Sequence, residues 1–202
     1  QGVMLGMYIL GFDKSTPSIL FSLLTGICLM AGYSLIGACW LIMKTEGNLQ
    51  RRAVGWAKSA LWFSVAGIVC VSLATPLVSP RIFDKWFDWP MMALMAPVPL
   101  LTGVLVLAMA RVLSQLPAPA DRGASVPFFM TVGIYVLCFI GLGYSFYPYI
   151  VPDRLEIDAA ASAPQSLMII LVGALVVLPV MLAYTAYSYY VFRGKADDLR
   201  YD

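Results

Sequence analysis

The chain has 202 residues, of which 61% are apolar and only 12% are charged, and its mean hydropathy is +0.84. A water-soluble domain of this composition would expose large apolar patches, so the sequence predicts an integral membrane protein. The net charge of +2 is small and its carriers lie in short connectors, which excludes a basic nucleic-acid-binding surface.

The first apolar stretch is QGVMLGMYILGF, residues 1–12. It is too short to cross a hydrocarbon layer of about 30 Å, because an α-helix rises about 1.5 Å per residue. We interpret it as the outer end of a preceding helix that turns back at residues 13–17, DKSTP. The stretch has no initiating Met, and we expect further helices before it.

Five longer apolar runs follow, and each meets the requirement of about twenty residues for a transmembrane helix. They cover residues 19–43, 54–78, 91–113, 126–151 and 166–192. The pattern predicts an all-α fold, a polytopic transmembrane helical bundle with five full spans and an N-terminal partial helix, forming one membrane domain over residues 1–202.

The basic residues of the connectors alternate in number. The connectors after the first and third spans and the tail hold most of them: Lys44, Arg51, Arg52, Lys58, Arg111, Arg122, Arg193, Lys195 and Arg200. The other two connectors hold Arg81, Lys85 and Arg154. The positive-inside rule therefore predicts that residues 44–53, residues 114–125 and the C-terminus are cytoplasmic.

Proline and small residues interrupt the apolar runs. Pro97, Pro99 and Pro179 lie inside predicted spans, where each removes a backbone donor and favours a kink. Such kinks either line a cavity or let the helices pack. Glycines within the spans, such as Gly26 and Gly67, favour close helix–helix approach.

Side chains that carry chemistry are scarce. The chain has no histidine, and its four cysteines lie inside apolar runs without a CxxC pair. Its carboxylates all fall in connectors or in the tail, whereas pumps and ion-coupled transporters hold titratable groups within the membrane. We therefore predict no catalytic residue and no metal site in this chain, and the cofactor-binding residues stay undefined. A transporter or a scaffold without a redox role is the alternative.

The connector after the first span carries a family resemblance. GACWLIMKTEGNLQRRA, residues 37–53, resembles the junction after the fifth helix in subunit II of cytochrome bd-type quinol oxidases. QGVMLGMYILGF (1–12) and DAAASAPQSLMIILVGALVVLPVMLAYTAYSYYVFRGK (158–195) are similar to the same subunit. WPMMALMAPVPLLTGVL (89–105) fits in order and hydropathy. The short connectors are similar to those of the cyanide-insensitive branch, and the chain corresponds to the C-terminal part of the subunit.

The resemblance implies a respiratory complex of the bacterial inner membrane that oxidises quinol and reduces dioxygen to water. It implies that haems b and d, or b alone, are held by the partner, the haem-bearing subunit I, and that none is bound by this chain. Membrane lipids, quinone and a small single-span subunit are further expected partners. This chain would support subunit I and would not be catalytic by itself.

The charged connector is the candidate contact site. Its residues are Trp40, Lys44, Glu46, Arg51, Arg52 and Trp56. We predict a turn at residues 45–47, with Gly47 suited to a positive φ. The basic residues would contact anionic lipid head groups or subunit I, or would only anchor this end in the cytoplasm. Trp40 and Trp56 would be interface anchors or, alternatively, a surface for a quinone.

Overall fold

The protein is described by a computed structural model that covers residues 1–89, 91–118, 122–192 and 194. The predicted tail residues Arg193, Lys195 and Arg200 lie outside these described residues. The structure is predominantly helical, with the elements α1 Gly2–Ile9, α2 Thr16–Lys44, α3 Gly47–Val78, α4 Pro80–Phe87, α5 Met91–Met95, α6 Pro97–Gln115, α7 Val126–Phe146, β1 Tyr149–Val151, β2 Leu155–Glu156, α8 Ile157–Ala160 and α9 Pro164–Val191. Among the described residues, five stretches are long and apolar enough to span a membrane, namely α2, α3, α5 with α6, α7 and α9. The predicted helical membrane bundle is thus confirmed.

The charged connector is shorter than its sequence suggests. α2 ends at Lys44 and α3 begins at Gly47, so only Thr45 and Glu46 join the two helices. Gly47 has φ +63°, the left-handed conformation that a glycine adopts without strain. α3 therefore begins well before residue 54, and Arg51 and Arg52 lie on its first turns. The arginines are exposed, whereas Gln50 is buried and donates a 3.2 Å hydrogen bond to the Ile42 carbonyl at the end of α2.

Small residues set the closest helix crossing. α1 packs along α2, and a Cβ atom added to Gly6 would lie 2.5 Å from the Cα atom of Ser22. A Cβ atom on Gly2 would lie 2.6 Å from the Cα atom of Gly26. Two pairs of small residues, each spaced by four, therefore let the two backbones touch, which is how helices associate by dispersion inside a membrane.

The third span is broken at its prolines. α5 ends at Met95, and Pro97 and Pro99 lie in the first turn of α6. The helix is therefore interrupted at Ala96, directly before Pro97, within the stretch Met91–Gln115 that is long enough to span a membrane, and the two prolines lie where their missing backbone donors have little cost. Pro179 does lie inside α9, and Pro76 lies inside α3.

The fourth span ends earlier than residue 151. α7 stops at Phe146, and Tyr149–Val151 pairs with Leu155–Glu156 as a short antiparallel hairpin. The aromatic run after Phe146 continued the apolar pattern but belongs to this hairpin. The short helix α8 follows it, so Glu156 and Asp158 do not cap the last span, which begins at Pro164.

The main core lies between α2, α3, α6 and α7. Its fully buried members are Cys39, Ile42, Ala53, Ala57, Leu61, Met109 and Leu113. A smaller core at the opposite end of α3 joins Ile9, Phe21 and Ile82. The alanines of α3 allow α2 and α3 to lie side by side over most of their length.

The last span stands apart from this bundle. α9 is the most hydrophobic of the five spans, yet no residue of its most apolar stretch is buried. Its ring contact with the bundle is at its C-terminal end, where Tyr189 meets Trp40 with ring centroids 5.5 Å apart.

Candidate functional site

A group of polar side chains gathers where α3 ends. We call Arg81, Lys85, Trp86, Ser145 and Asp153 the Arg81 cluster. The Arg81 guanidinium lies 2.6 Å (Nε to Oδ1) from Asp153 in an ion pair, and its Nη1 donates a 3.3 Å hydrogen bond to the Ser145 carbonyl. Trp86 Nε1 donates to Ser145 Oγ at 3.0 Å. The cluster therefore ties α4 to the end of α7 and to the hairpin.

Lys85 completes the Arg81 cluster. Its ammonium donates to the carbonyl oxygens of Tyr144, at 2.6 Å, and of Tyr147, and lies 4.5 Å from the Tyr144 ring centroid. Tyr144 is in the last turn of α7 and Tyr147 directly follows the helix, so Lys85 lies where a cation is favoured by the helix dipole. Burial, together with repulsion from Arg81, lowers the pKa of Lys85 below its usual value.

A cleft of about 290 Å³ lies beside the Arg81 cluster. Asp13, Ser18, Ser79, Arg81 and Asp153 provide its polar lining. Ser18 Oγ donates to Asp13 at 2.7 Å, and hydrogen bonds from Ser15 and Ser18 lower the pKa of Asp13. Asp153 pairs with Arg81, and Asp13 accepts hydrogen bonds from Ser15 and Ser18. Nη2 of Arg81 is buried and has no hydrogen-bond partner among the described residues.

The predicted contact site is divided by the structure into two parts. Trp40 and Lys44 are half-buried and contact the C-terminal end of α9. Lys44 donates to the carbonyl oxygen of Phe192 at 2.5 Å and to that of Gly194 at 3.2 Å, and its ammonium lies 5.2 Å from the Trp40 ring centroid. Lys44 thus caps the C-terminal end of α9, a role that its place in the charged connector did not indicate.

The second part faces outward from the start of α3. Arg51, Arg52 and Trp56 are exposed, and they share this face with Gly55 and Lys58. We call these five residues the Arg51 surface. Glu46, the residue before α3, is exposed at the edge of the connection between the helices.

Groups suited to hold a metal do not converge in the part of the chain that the structure describes: no three His, Cys, Asp or Glu side chains come together there. The buried sulfur atoms of Cys39 and Met109 contact one hydroxyl, lying 3.6 Å and 3.7 Å from Thr131 Oγ1. These soft side chains are occupied in packing.

The chain matches one family over almost its whole length. The family is described as cytochrome bd terminal oxidase subunit II, and the match covers residues 1–192. The chain belongs to the cytochrome bd terminal oxidase subunit II family. It is therefore a multi-pass membrane subunit of a bd oxidase, a respiratory complex that uses haems and quinol and contains a subunit I partner. No curated protein matches the sequence.

In this subunit II chain, sequence reasoning proposed three residues of the Arg51 surface, Arg51, Arg52 and Trp56, as contact residues but did not predict the Arg81 cluster. Arg81 and Lys85 were interpreted only as markers of membrane side. A signal was present: Ser79-Pro80 is a helix start, and Arg81 and Lys85 are four residues apart on the short amphipathic helix that follows. Their partners on α7 and the hairpin are distant in sequence, and no local pattern gives them.

Proposed function

We propose that this chain is the haem-free subunit of its bd oxidase and that it supports the haem-bearing subunit I without taking part in catalysis. Haems b and d, or b alone, would then be held by subunit I, with quinol as the substrate of the whole complex. The observation that carries this proposal is the complete lack of histidine among 202 residues. Haem iron in electron-transfer proteins is most often held by imidazole.

The remaining soft ligands support the same assignment. Of the thioethers and thiols, Met109 and Cys39 are the ones fully buried in the main core. Both sulfur atoms contact Thr131, whose hydroxyl donates to the Pro127 carbonyl at 2.8 Å. A porphyrin beside them would displace this packing, so these residues do not fit a haem.

The supporting role rests on the exposed apolar surface. α9 exposes large side chains along its whole length, and α2 and α3 do so on their outer faces. Surfaces of this kind are compatible with lipid and with neighbouring transmembrane helices. The contacts that join Lys44 to Phe192 and Arg81 to Asp153 place the connectors at two opposite ends of the bundle. The greater number of cations at the Lys44 end supports a cytoplasmic position for that end in the bacterial inner membrane.

The test is purification of the complex through a tag on this chain in mild detergent, with the subunits identified by mass spectrometry. We expect haem bands in the reduced-minus-oxidised spectrum together with a larger, histidine-containing membrane subunit. The same identification would reveal a small single-span subunit. A colourless preparation of this chain with no partner would contradict the proposal.

Two variants test where the haems are held. Met109→Leu and Cys39→Ala remove the buried soft ligands with little change in volume or polarity. We expect the ratio of haem to subunit I to stay unchanged in both. Loss of one haem band from an intact complex would show that this chain ligates haem and would overturn the haem-free assignment.

A further inference from the structure

Three cations on α3 surround one glycine. Gly55 lies four residues after Arg51, three after Arg52 and three before Lys58. Residues separated by three or four positions are neighbours on a helix surface, so the three side chains border the same patch. Gly55 and the three cations are all exposed. The result is a shallow positively charged recess on the outside of the bundle.

The cations of the Arg51 surface are unpaired within the described part of the chain. Arg51, Arg52 and Lys58 make no hydrogen bond or ion pair to another described residue. Lys44, Arg81 and Lys85 all donate to backbone carbonyls. The recess therefore carries three uncompensated positive charges, which are complementary to an anion from outside the chain.

Gly55 itself is not required by the packing of the bundle. A Cβ atom added there would meet no atom within 4 Å, although glycine inside a helix costs about 1 kcal/mol relative to alanine. The other glycines in the interiors of the described helices with equally open surroundings are Gly37, Gly103, Gly143 and Gly173. None of these has a basic residue three or four positions away. Gly47, the first residue of α3, is also open and lies three positions after Lys44 and four before Arg51, but its φ of +63° accounts for a glycine there. Gly55 is therefore the one open glycine in the interior of a described helix that is bordered by cations.

An apolar aromatic surface continues from the recess toward the middle of the span. Trp56, Trp62 and Phe63 are 52%, 59% and 71% exposed. Trp62 lies seven residues after Gly55, or about 10 Å further along the helix axis. A molecule that carries a negative charge at one end and hydrocarbon at the other would match both parts of this face.

We propose that the Arg51 surface binds an anionic glycerophospholipid. Its phosphate would lie over Gly55 between Arg51, Arg52 and Lys58, and one acyl chain would run along Trp62 and Phe63. Cations close to a membrane surface attract acidic lipids, and a lysine stem can extend toward the head groups from a deeper position. The inference requires only that the chain spans a membrane, so it does not depend on where the haems are held.

Native mass spectrometry of the purified complex tests this inference. The complex is mixed with phosphatidylglycerol or with phosphatidylcholine, and lipid adducts on this chain are counted as the collision energy rises. We expect preferential retention of phosphatidylglycerol. Replacing both arginines, Arg51→Gln with Arg52→Gln, should lower that preference about thirtyfold, since each cation contributes about 1 kcal/mol. Equal retention of the two lipids by the unchanged complex would overturn the proposal.

A second variant tests the contribution of the open space at Gly55 without changing the positive charge. Gly55→Leu keeps all three cations, improves helix propensity and fills the space above the backbone. It should reduce phosphatidylglycerol retention, whereas Gly37→Leu, at another open glycine, should not. Lys14→Gln, at the opposite end of the bundle, is the matched charge control. If the double arginine variant loses subunit I while its lipid preference is unchanged, the surface is a protein contact and the lipid proposal is wrong.

Discussion

The positive side chains at the two ends of α3 have opposite environments. At the end near α4, Arg81 and Lys85 are held by Asp153 and by carbonyl groups of α7. At the other end, Arg51 and Arg52 point away from the protein and have no described partner. Charges held internally fix the shape of the bundle, whereas the outward charges are available to molecules beyond it. The same residue types therefore have different roles, and the packing of each end determines which.

Glycines repeat this contrast. Gly6 touches the backbone of α2, where a side chain has no space, whereas Gly55 has no neighbour near its missing Cβ atom. Gly6 is needed for the close contact between α1 and α2 inside the bundle. Gly55 is on a face that the chain itself leaves uncovered.

The largest expected effect is at Gly6. In Gly6→Leu the new side chain would overlap the Ser22 Cα atom, so α1 must separate from α2 at a cost of about 3 kcal/mol or more. We expect a large fall in the yield and thermal midpoint of the complex. Gly55→Leu is the control and should give a normal yield. An equal fall in yield and thermal midpoint for both variants would show that the space around the missing Cβ atom does not distinguish Gly6 from Gly55.

A smaller loss is expected at the Arg81 cluster. Arg81→Gln removes the ion pair with Asp153 and the bond to the Ser145 carbonyl, and the partly exposed site should lose about 2 kcal/mol of stability. Thermal unfolding of the purified complex measures the change. The paired substitution Arg51→Gln with Arg52→Gln should stay within about 0.5 kcal/mol of the original in a neutral detergent. A greater loss there would mean that the Arg51 surface has an internal structural role.

Lys44→Gln should destabilise the C-terminal end of α9. The variant removes the cation from the carbonyls of Phe192 and Gly194, a contribution of about 0.5–1 kcal/mol at a helix C-terminus. Hydrogen exchange in the last turn of α9 should be roughly threefold faster, because local opening becomes easier. Exchange in the middle of α2 serves as the internal reference. Unchanged exchange in α9 would show that Trp40 and Tyr189 hold this end without Lys44.

The smallest effect concerns Asp13. Its pKa is lowered below 3.8 by the hydroxyl groups of Ser15 and Ser18, so its stabilising effect is complete above pH 3.8 and is lost as the pH falls through the lowered value. The difference in thermal midpoint between the original chain and Asp13→Asn should be constant from pH 7 to about pH 5 and should shrink in stronger acid. A difference that changes near pH 6 would contradict this assignment.

The apolar runs predicted the membrane helices well because hydropathy depends only on local composition. The errors arose where a run continued past the end of its helix. Tyr149–Val151 is apolar but pairs with Leu155–Glu156, and that pairing depends on the turn between them. Pro97 was more informative, because the helical run of the third span is interrupted at Ala96, directly before this proline.

The candidate site was predictable only in part. The exposed position of Arg51, Arg52 and Trp56 follows from their place among the alanines Ala53, Ala57 and Ala60, which repeat at helical spacing on the buried face of α3. The internal role of Lys44 does not follow from any local pattern, because its partners are almost 150 positions away in the chain. Contacts between residues so far apart in the chain can be identified only from the folded structure.

The isolation of α9 has a consequence for biosynthesis. A transmembrane helix that packs against earlier helices can be retained in the bilayer by them even when its own sequence is weakly apolar. α9 buries none of its most apolar stretch against the other elements that the structure describes, so none of these elements contributes to the free energy of its entry into lipid, and its own apolar side chains supply it. This requirement matches its place as the most hydrophobic span. An arginine in place of Leu175, which is exposed, would have no helix among the described elements to shield it during insertion by the translocon.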